Sequence, residues 1–212
     1  MEKIYFDDST YIWKTKLNLL KEKESLLNSC YNVMNLYSNN NQSDSYPYHM
    51  NTDIKLDKII NSGMNLCKLL YRETDTIYNK WNKDAWVNVV RSKKPLQYSF
   101  IKGDDGAYHL STFEDRYHTH TELKKSWNGF YPHYTWVYYI QMPDIMEGED
   151  GVLYIKGELD KEYYIRPEED DLIILEGHLP HNPNNAPKST IDRVVLAGNV
   201  GFEFVKTDKS LI

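Results

Sequence analysis

Arg116-Tyr117-His118-Thr119-His120-Thr121-Glu122 is the stretch from which the rest of the 212-residue chain can be read. It holds two of the seven histidines and a carboxylate at two-residue spacing. In an extended strand successive side chains alternate faces, so His118, His120 and Glu122 would point the same way. Polar groups of this kind are costly to bury unless they share a purpose, and all three are metal-ligand types. The stretch therefore predicts a strand over 117–121 that carries a metal site.

Working outward, the chain from Trp81 onward reads as many short strands. Apolar alternation predicts them at 85–90, 96–101, 108–113, 135–141, 152–155, 162–165, 172–175 and 193–204, separated by Gly, Pro, Asp and Asn. Alternation is clearest in Val137-Tyr138-Tyr139-Ile140-Gln141. Closely spaced strands with no helix between them imply an antiparallel sandwich or barrel. Upstream, 4–6 and 10–16 read as short edge strands. The period then changes to 3–4 residues, predicting helices over 19–37, with Asn18 as N-cap, and over 54–80, bent near Gly63. Polar, turn-rich 38–53 reads as a loop. The expectation is a mainly β fold with two N-terminal helices packed on one face of a β core. Residues 1–82 would form the N-terminal strands and helices, 83–206 the core and 207–212 a tail, all within one compact domain.

Lys plus Arg number 25 and Asp plus Glu 31, a net charge of −6, with no dense basic run. That disfavours a partner held by phosphate neutralisation, and with it nucleic acid, although it leaves room for a local basic groove. No apolar signal core opens the chain and no apolar run approaches eighteen residues, which leads to the expectation of a soluble, cytoplasmic protein with no membrane contact. Cys30 and Cys67 read as reduced core thiols. A sheet edge at the N-terminal strands would allow pairing in a homodimer.

Three places carry chemistry. Two histidines and a carboxylate on one face of an iron ion leave the opposite positions open. Either His118-x-His120 or His120-x-Glu122 would supply the local pair; the alternative is a solvated surface strand. His181 follows a buried strand at a Pro- and Asn-rich turn, where ligands gather at a barrel mouth, whereas His178 reads as an ordinary loop residue. The acidic run Glu168-Glu169-Asp170-Asp171 reads as a solvated turn. Arg193 enters an apolar strand and needs an anion, either a ligand carboxylate gripped by two parallel hydrogen bonds or Asp192 and the acidic run.

The order of Ala-Trp-Val-Asn-Val, His-x-His-x-Glu, Trp-Val-Tyr-Tyr-Ile-Gln-Met-Pro, Pro-His and Arg followed by Asn-Val resembles the 2-oxoglutarate/Fe(II)-dependent oxygenases, over about residues 81–204. Within them it is similar to small phage and bacterial proteins of oxygenase type. The resemblance implies a double-stranded β-helix, a jelly-roll, cupin-like core. It implies His120, Glu122 and His181 as Fe(II) ligands, with His118 as the alternative ligand, and Arg193 as the anchor of the 2-oxoglutarate carboxylate. Tyr139 would offer its hydroxyl to the same carboxylate, with parity leaving Tyr138 or Tyr139 to face inward. Asn199 and the Trp86/Asn88 strand would line the cavity. The implied activity is a dioxygenase that couples oxidative decarboxylation of 2-oxoglutarate by O₂ to hydroxylation of a C–H bond. The primary substrate would be a small molecule or a protein side chain.

Two departures stand out. Glutamate replaces the more usual aspartate, and residues 123–134, with Trp127, Tyr131 and His133, form a long insertion that reads as a lid or places His133 in the site. Two rival readings share the β-helix: a cupin-type metal enzyme without 2-oxoglutarate, and a non-catalytic binding or structural module. Arg193 separates the first from an oxygenase, because a cupin has no general need for it.

Overall fold

The computed structural model describes residues 1–37, 45–72, 80–92, 100–102, 108–110, 117–120, 133–184, 186 and 188–203. Among them the chain runs β1 (Glu2–Tyr5), β2 (Tyr11–Lys16), α1 (Lys23–Tyr37), β3 (Ser45–Pro47), α2 (Ile54–Arg72) and β4 (Lys80–Val90). It continues with β5 (Phe100–Lys102), β6 (Tyr108–Leu110), β7 (Tyr134–Gln141), β8 (Leu153–Lys156) and β9 (Glu162–Ile165). The last strands are β10 (Asp171–Glu176), β11 (His181–Pro183) and β12 (Arg193–Glu203). Seven strands form one antiparallel sheet in the order β1-β2-β10-β7-β12-β4-β3. A smaller sheet has the order β11-β8-β9, and β5 pairs with β6.

Strand alternation divides the large sheet into two faces. Trp136, Tyr138 and Ile140 of β7, Leu172 and Ile174 of β10, and Val194 and Leu196 of β12 pack in one cluster with both helices. The helices meet that face through residues three to four apart, Leu26, Cys30 and Val33 on α1 and Leu56, Ile59, Ile60 and Cys67 on α2, as an amphipathic helix requires. Tyr139, Ile173, Leu175 and Val195 face the other way and pack on Leu153 and Ile155 of the small sheet. Trp136 is the keystone of the helix face. A Cβ on Gly63 of α2 would lie 2.7 Å from its indole, and one on Gly198 of β12 would lie 2.6 Å from it. Only glycine lets helix and neighbouring strand close on the ring from both sides. Gly63 therefore serves a close approach within α2, which runs unbroken through it to Arg72.

The acidic run departs most from its expected character. Asp170 and Asp171 are buried, not solvated. Asp170 accepts the backbone N–H groups of Asn18 and Leu19 at 2.8 and 2.9 Å and the Tyr138 hydroxyl at 2.8 Å. Asp171 faces Lys14 at 2.8 Å and Lys16 at 3.2 Å. Asn18 is accordingly not the N-cap. It adopts a left-handed φ of 59°, a 3₁₀ turn spans Leu20–Glu22, and α1 begins at Lys23. Donors at the entry to the helical segment are met by a carboxylate from a distant turn, which a local reading does not find.

Several boundaries also differ. The helix expected over 54–80 is described as far as Arg72, residues 73–79 lie outside the described residues, and Lys80 already belongs to β4. Residues 45–47 form the edge strand β3 because Tyr46 buries its ring there and Pro47 sits where an edge tolerates it. β4 starts five residues before the expected strand, at Lys80, since β12 pairs with it along eleven positions. Residues 181–183 form β11 by pairing with β8. The expected strand over 117–121 is instead an isolated bridge between His118 and His181, residue 121 lying outside the described residues. No helix among the described residues is long and apolar enough to cross a membrane.

Candidate functional site

The histidines are brought together by backbone pairing rather than by a continuous strand. His118 and His181 exchange both N–H···O bonds, at 3.1 and 3.0 Å. Two residues on, the His120 N–H donates to the Gly177 carbonyl at 2.8 Å, and the Gly177 N–H donates to the His133 carbonyl at 2.7 Å. These bonds pin residues 118–120 against the turn between β10 and β11. Ligand-type nitrogens of His118, His120 and His181 all lie within 4.8 Å of one another.

Protonation can be followed atom by atom. The His181 Nδ1 lies 2.9 Å from the Leu179 carbonyl oxygen, which can only accept, so Nδ1 carries the proton and the Nε2 lone pair is free. That Nε2 is 3.3 Å from His120 Nε2. Burial, and then the neighbouring imidazoles, push the His181 pKa well below its ordinary value. Burial, and then His118, lower that of His120 to about 3. At neutral pH these rings are neutral, the form that donates to a metal. Two Nε2 atoms 3.3 Å apart suit ligands each about 2.0–2.1 Å from one ion. The donor set therefore fits a divalent transition metal.

The cluster opens into a cavity of about 130 Å³ between the two sheets. Val137, Leu153, Val195 and Ala197 supply apolar walls, and Thr135, Tyr139, Asn88 and Arg193 supply polar groups. Tyr139 is the inward member of the Tyr-Tyr pair. Tyr138 turns to the helix face and is closed by Asp170. Burial pushes the Tyr139 hydroxyl well above the usual tyrosine range, with the Arg193 charge opposing, so it remains a protonated donor. Arg193 is 6 % exposed and donates from one terminal nitrogen to the Asn184 carbonyl at 2.8 Å. The carboxylates that the sequence offered it are engaged elsewhere. Asp192 takes the Tyr31 hydroxyl and the Ser92 N–H, and Asp171 takes the two lysines. Trp86 and Asn88 line the cavity, whereas Asn199 is not among its lining residues and accepts the Thr135 hydroxyl at 2.7 Å.

Three other candidates separate from the cluster. Glu122 lies outside the described residues, as does most of 123–134. His133 lies edge-on to Tyr71 of α2 at 5.4 Å and is not among the three clustered histidines. His178 is exposed beside Glu176. Sequence reasoning passed over the Leu179 carbonyl, which no residue type advertises, and Thr135, which shares strand parity with Tyr139 and was legible on that count.

No family model matches the sequence, and no curated protein matches it. Solved structures do match the fold. A prolyl-4-hydroxylase from Pseudomonas putida superposes with a TM-score of 0.61 at 13% identity, over 91% of this chain and 93% of that one. The prolyl hydroxylase of Trichoplax adhaerens, solved with a hypoxia-inducible-factor peptide, gives 0.53 at 13% identity, over 90% and 83%. HygX of Streptomyces hygroscopicus, solved with nickel and 2-oxoglutarate, gives 0.52 at 12% identity, over 91% and 83%. The chain has the double-stranded β-helix fold of these proteins, as the resemblance in its motifs implied.

Proposed function

We propose that this protein is a 2-oxoglutarate- and Fe(II)-dependent dioxygenase that hydroxylates a C–H bond of a small molecule or a protein side chain. The observation that carries the reading is the convergence of three imidazoles, a buried arginine and an inward tyrosine hydroxyl on one small cavity. Support comes from structures of the same fold that are hydroxylases or hold nickel with 2-oxoglutarate. A cupin-type enzyme has no general need for an arginine such as Arg193 at the wall of that cavity.

In this reading His120 and His181 hold the metal, and His118 supplies the third ligand in place of Glu122. Bound there, ferrous iron with 2-oxoglutarate and O₂ supplies oxidative decarboxylation to succinate and CO₂ coupled to hydroxylation of the substrate. Arg193 grips the far carboxylate of 2-oxoglutarate, a charge-assisted pair strengthened by the water-poor walls. Tyr139 donates its hydroxyl to the same group. Val137, Leu153 and Val195 exclude water from the reacting centre. A cavity of about 130 Å³ is smaller than the roughly 300–1,000 Å³ of drug-sized sites. The primary substrate therefore sits outside it, presenting its C–H bond from the open side where His118 is exposed.

The test is anaerobic addition of ferrous iron and then 2-oxoglutarate, reading the weak visible charge-transfer band of the chelate. The band should form in wild type and in Glu122→Ala and vanish in His120→Ala, His118→Ala and Arg193→Ala. Loss in Glu122→Ala with retention in His118→Ala would return the third ligand to Glu122. Iron bound without a band in wild type would sink the 2-oxoglutarate claim.

A further inference from the structure

Three rings lie in series across the site. The Trp86 indole is 5.7 Å from the His120 imidazole at an interplanar angle of 23°, and the His120 ring is 5.1 Å from that of His181 at 18°. His118 stands out of this stack, tilted by 73° to His120 and 57° to His181. The two stacked histidines are oriented by different means. His181 is fixed in tautomer and ring plane by the Leu179 carbonyl. Among the described residues the His120 ring makes no hydrogen bond apart from its Nε2 contact with His181. Its plane is set by the rings on either side. Trp86 is well placed for this, since it sits within β4, paired with Pro47 of β3 on one flank and Ala197 of β12 on the other. A ring carried by a strand paired on both sides is positioned more sharply than one on a loop.

We infer that Trp86 is a positioning residue for the metal site. Stacked on His120, its indole sets the ring plane of that ligand, as the Leu179 carbonyl sets that of His181, and so governs how tightly and in what geometry the ion is held. The inference rests on the metal-site reading above, and concerns a residue outside every ligand set considered for it.

Cobalt(II), added anaerobically to metal-free protein, is the probe. Affinity and the visible ligand-field band are read in wild type, Trp86→Phe, Trp86→Leu and Trp86→Met, with His181→Ala as the site control. Loss of an orienting neighbour typically weakens metal binding about 10- to 100-fold. The ringless Leu and Met variants should show that loss and a displaced band, and Phe, which keeps a ring to stack, should restore both. Cobalt should also quench tryptophan emission more in wild type than in Trp86→Phe, a comparison independent of whether the ringless variants fold. Ringless variants that bind cobalt as wild type with an unchanged band would overturn the inference, as would equal quenching in wild type and Trp86→Phe. If wild type takes up no cobalt, or His181→Ala binds it equally well, the metal-site reading itself fails and takes this inference with it.

Discussion

The two faces of the large sheet are built from the same strands, yet they do different work. On β7, Trp136 and Tyr138 turn to the helices while Thr135, Val137 and Tyr139 turn to the cavity; on β12, Val194 and Leu196 oppose Arg193 and Val195. Burial does not separate them, since Val194 is 0 % and Arg193 6 % exposed. What differs is where polar atoms end. The helix face closes its principal polar group inside the protein, with the Tyr138 hydroxyl on Asp170 and Asp170 on the backbone leading into α1. The cavity face brings Arg193, Tyr139 and the imidazoles to a common space. A face whose polar groups satisfy one another holds the fold, and a face whose polar groups converge on a cavity is ready for a ligand.

That contrast can be broken at its strongest point. Trp136→Ala empties the slot between Gly63 and Gly198 and should cost about 3–5 kcal/mol of stability, measured by urea denaturation. The folded fraction should still bind metal, because the indole faces away from the cavity. A variant that lost metal binding while fully folded would show that the two faces are coupled. Next in size, Asp170→Ala strands two buried donors, the Leu19 N–H and the Tyr138 hydroxyl, together with the half-buried Asn18 N–H, and should cost about 1–3 kcal/mol. Melting in the absence of metal reads it, and an unchanged midpoint would return the acidic run to the role of a solvated turn.

On the cavity face, the larger signal should be in binding. Arg193→Ala should weaken 2-oxoglutarate binding to the nickel-loaded protein at least about tenfold, the scale of losing a buried charge-assisted partner, as titration calorimetry would show. Unchanged affinity would leave the arginine a structural role only. The smallest effect is expected at His133. Its edge contact with Tyr71 is worth about 0.5–1.5 kcal/mol, so His133→Ala should melt slightly earlier and bind metal as wild type does. Weaker metal binding there would place the insertion back in the site.

Much of the fold could be read locally, because its signals are local. The period-two alternation of residues 135–141 and the 3–4 spacing of Leu26, Cys30 and Val33 report a buried face whatever lies against it. Asp170 shows where such reading stops. Four acidic residues in a row look solvated until the structure brings two unpaired N–H groups and a tyrosine hydroxyl to one of them. β3 and β11 are three residues each, too short for any periodicity, and exist because a neighbour offers an edge. In the site, residue types singled out His118, His120, Glu122, His181 and Arg193, because imidazole and carboxylate are ligand types and a guanidinium in an apolar strand needs an anion; of these, Glu122 lies outside the described residues.

The sequence by itself determined the class of fold, the two helices and the chemistry available, because hydrophobic period and ligand-bearing side chains are properties of the chain. Only the tertiary structure decided that Tyr139 and not Tyr138 faces the cavity, that His133 lies against Tyr71 of α2, and that His118 stands with His120 and His181. The physical reason is register. A strand states which residues share a face, but which face meets the cavity is fixed by pairing with strands far away in sequence, and a one-residue slip would exchange the two.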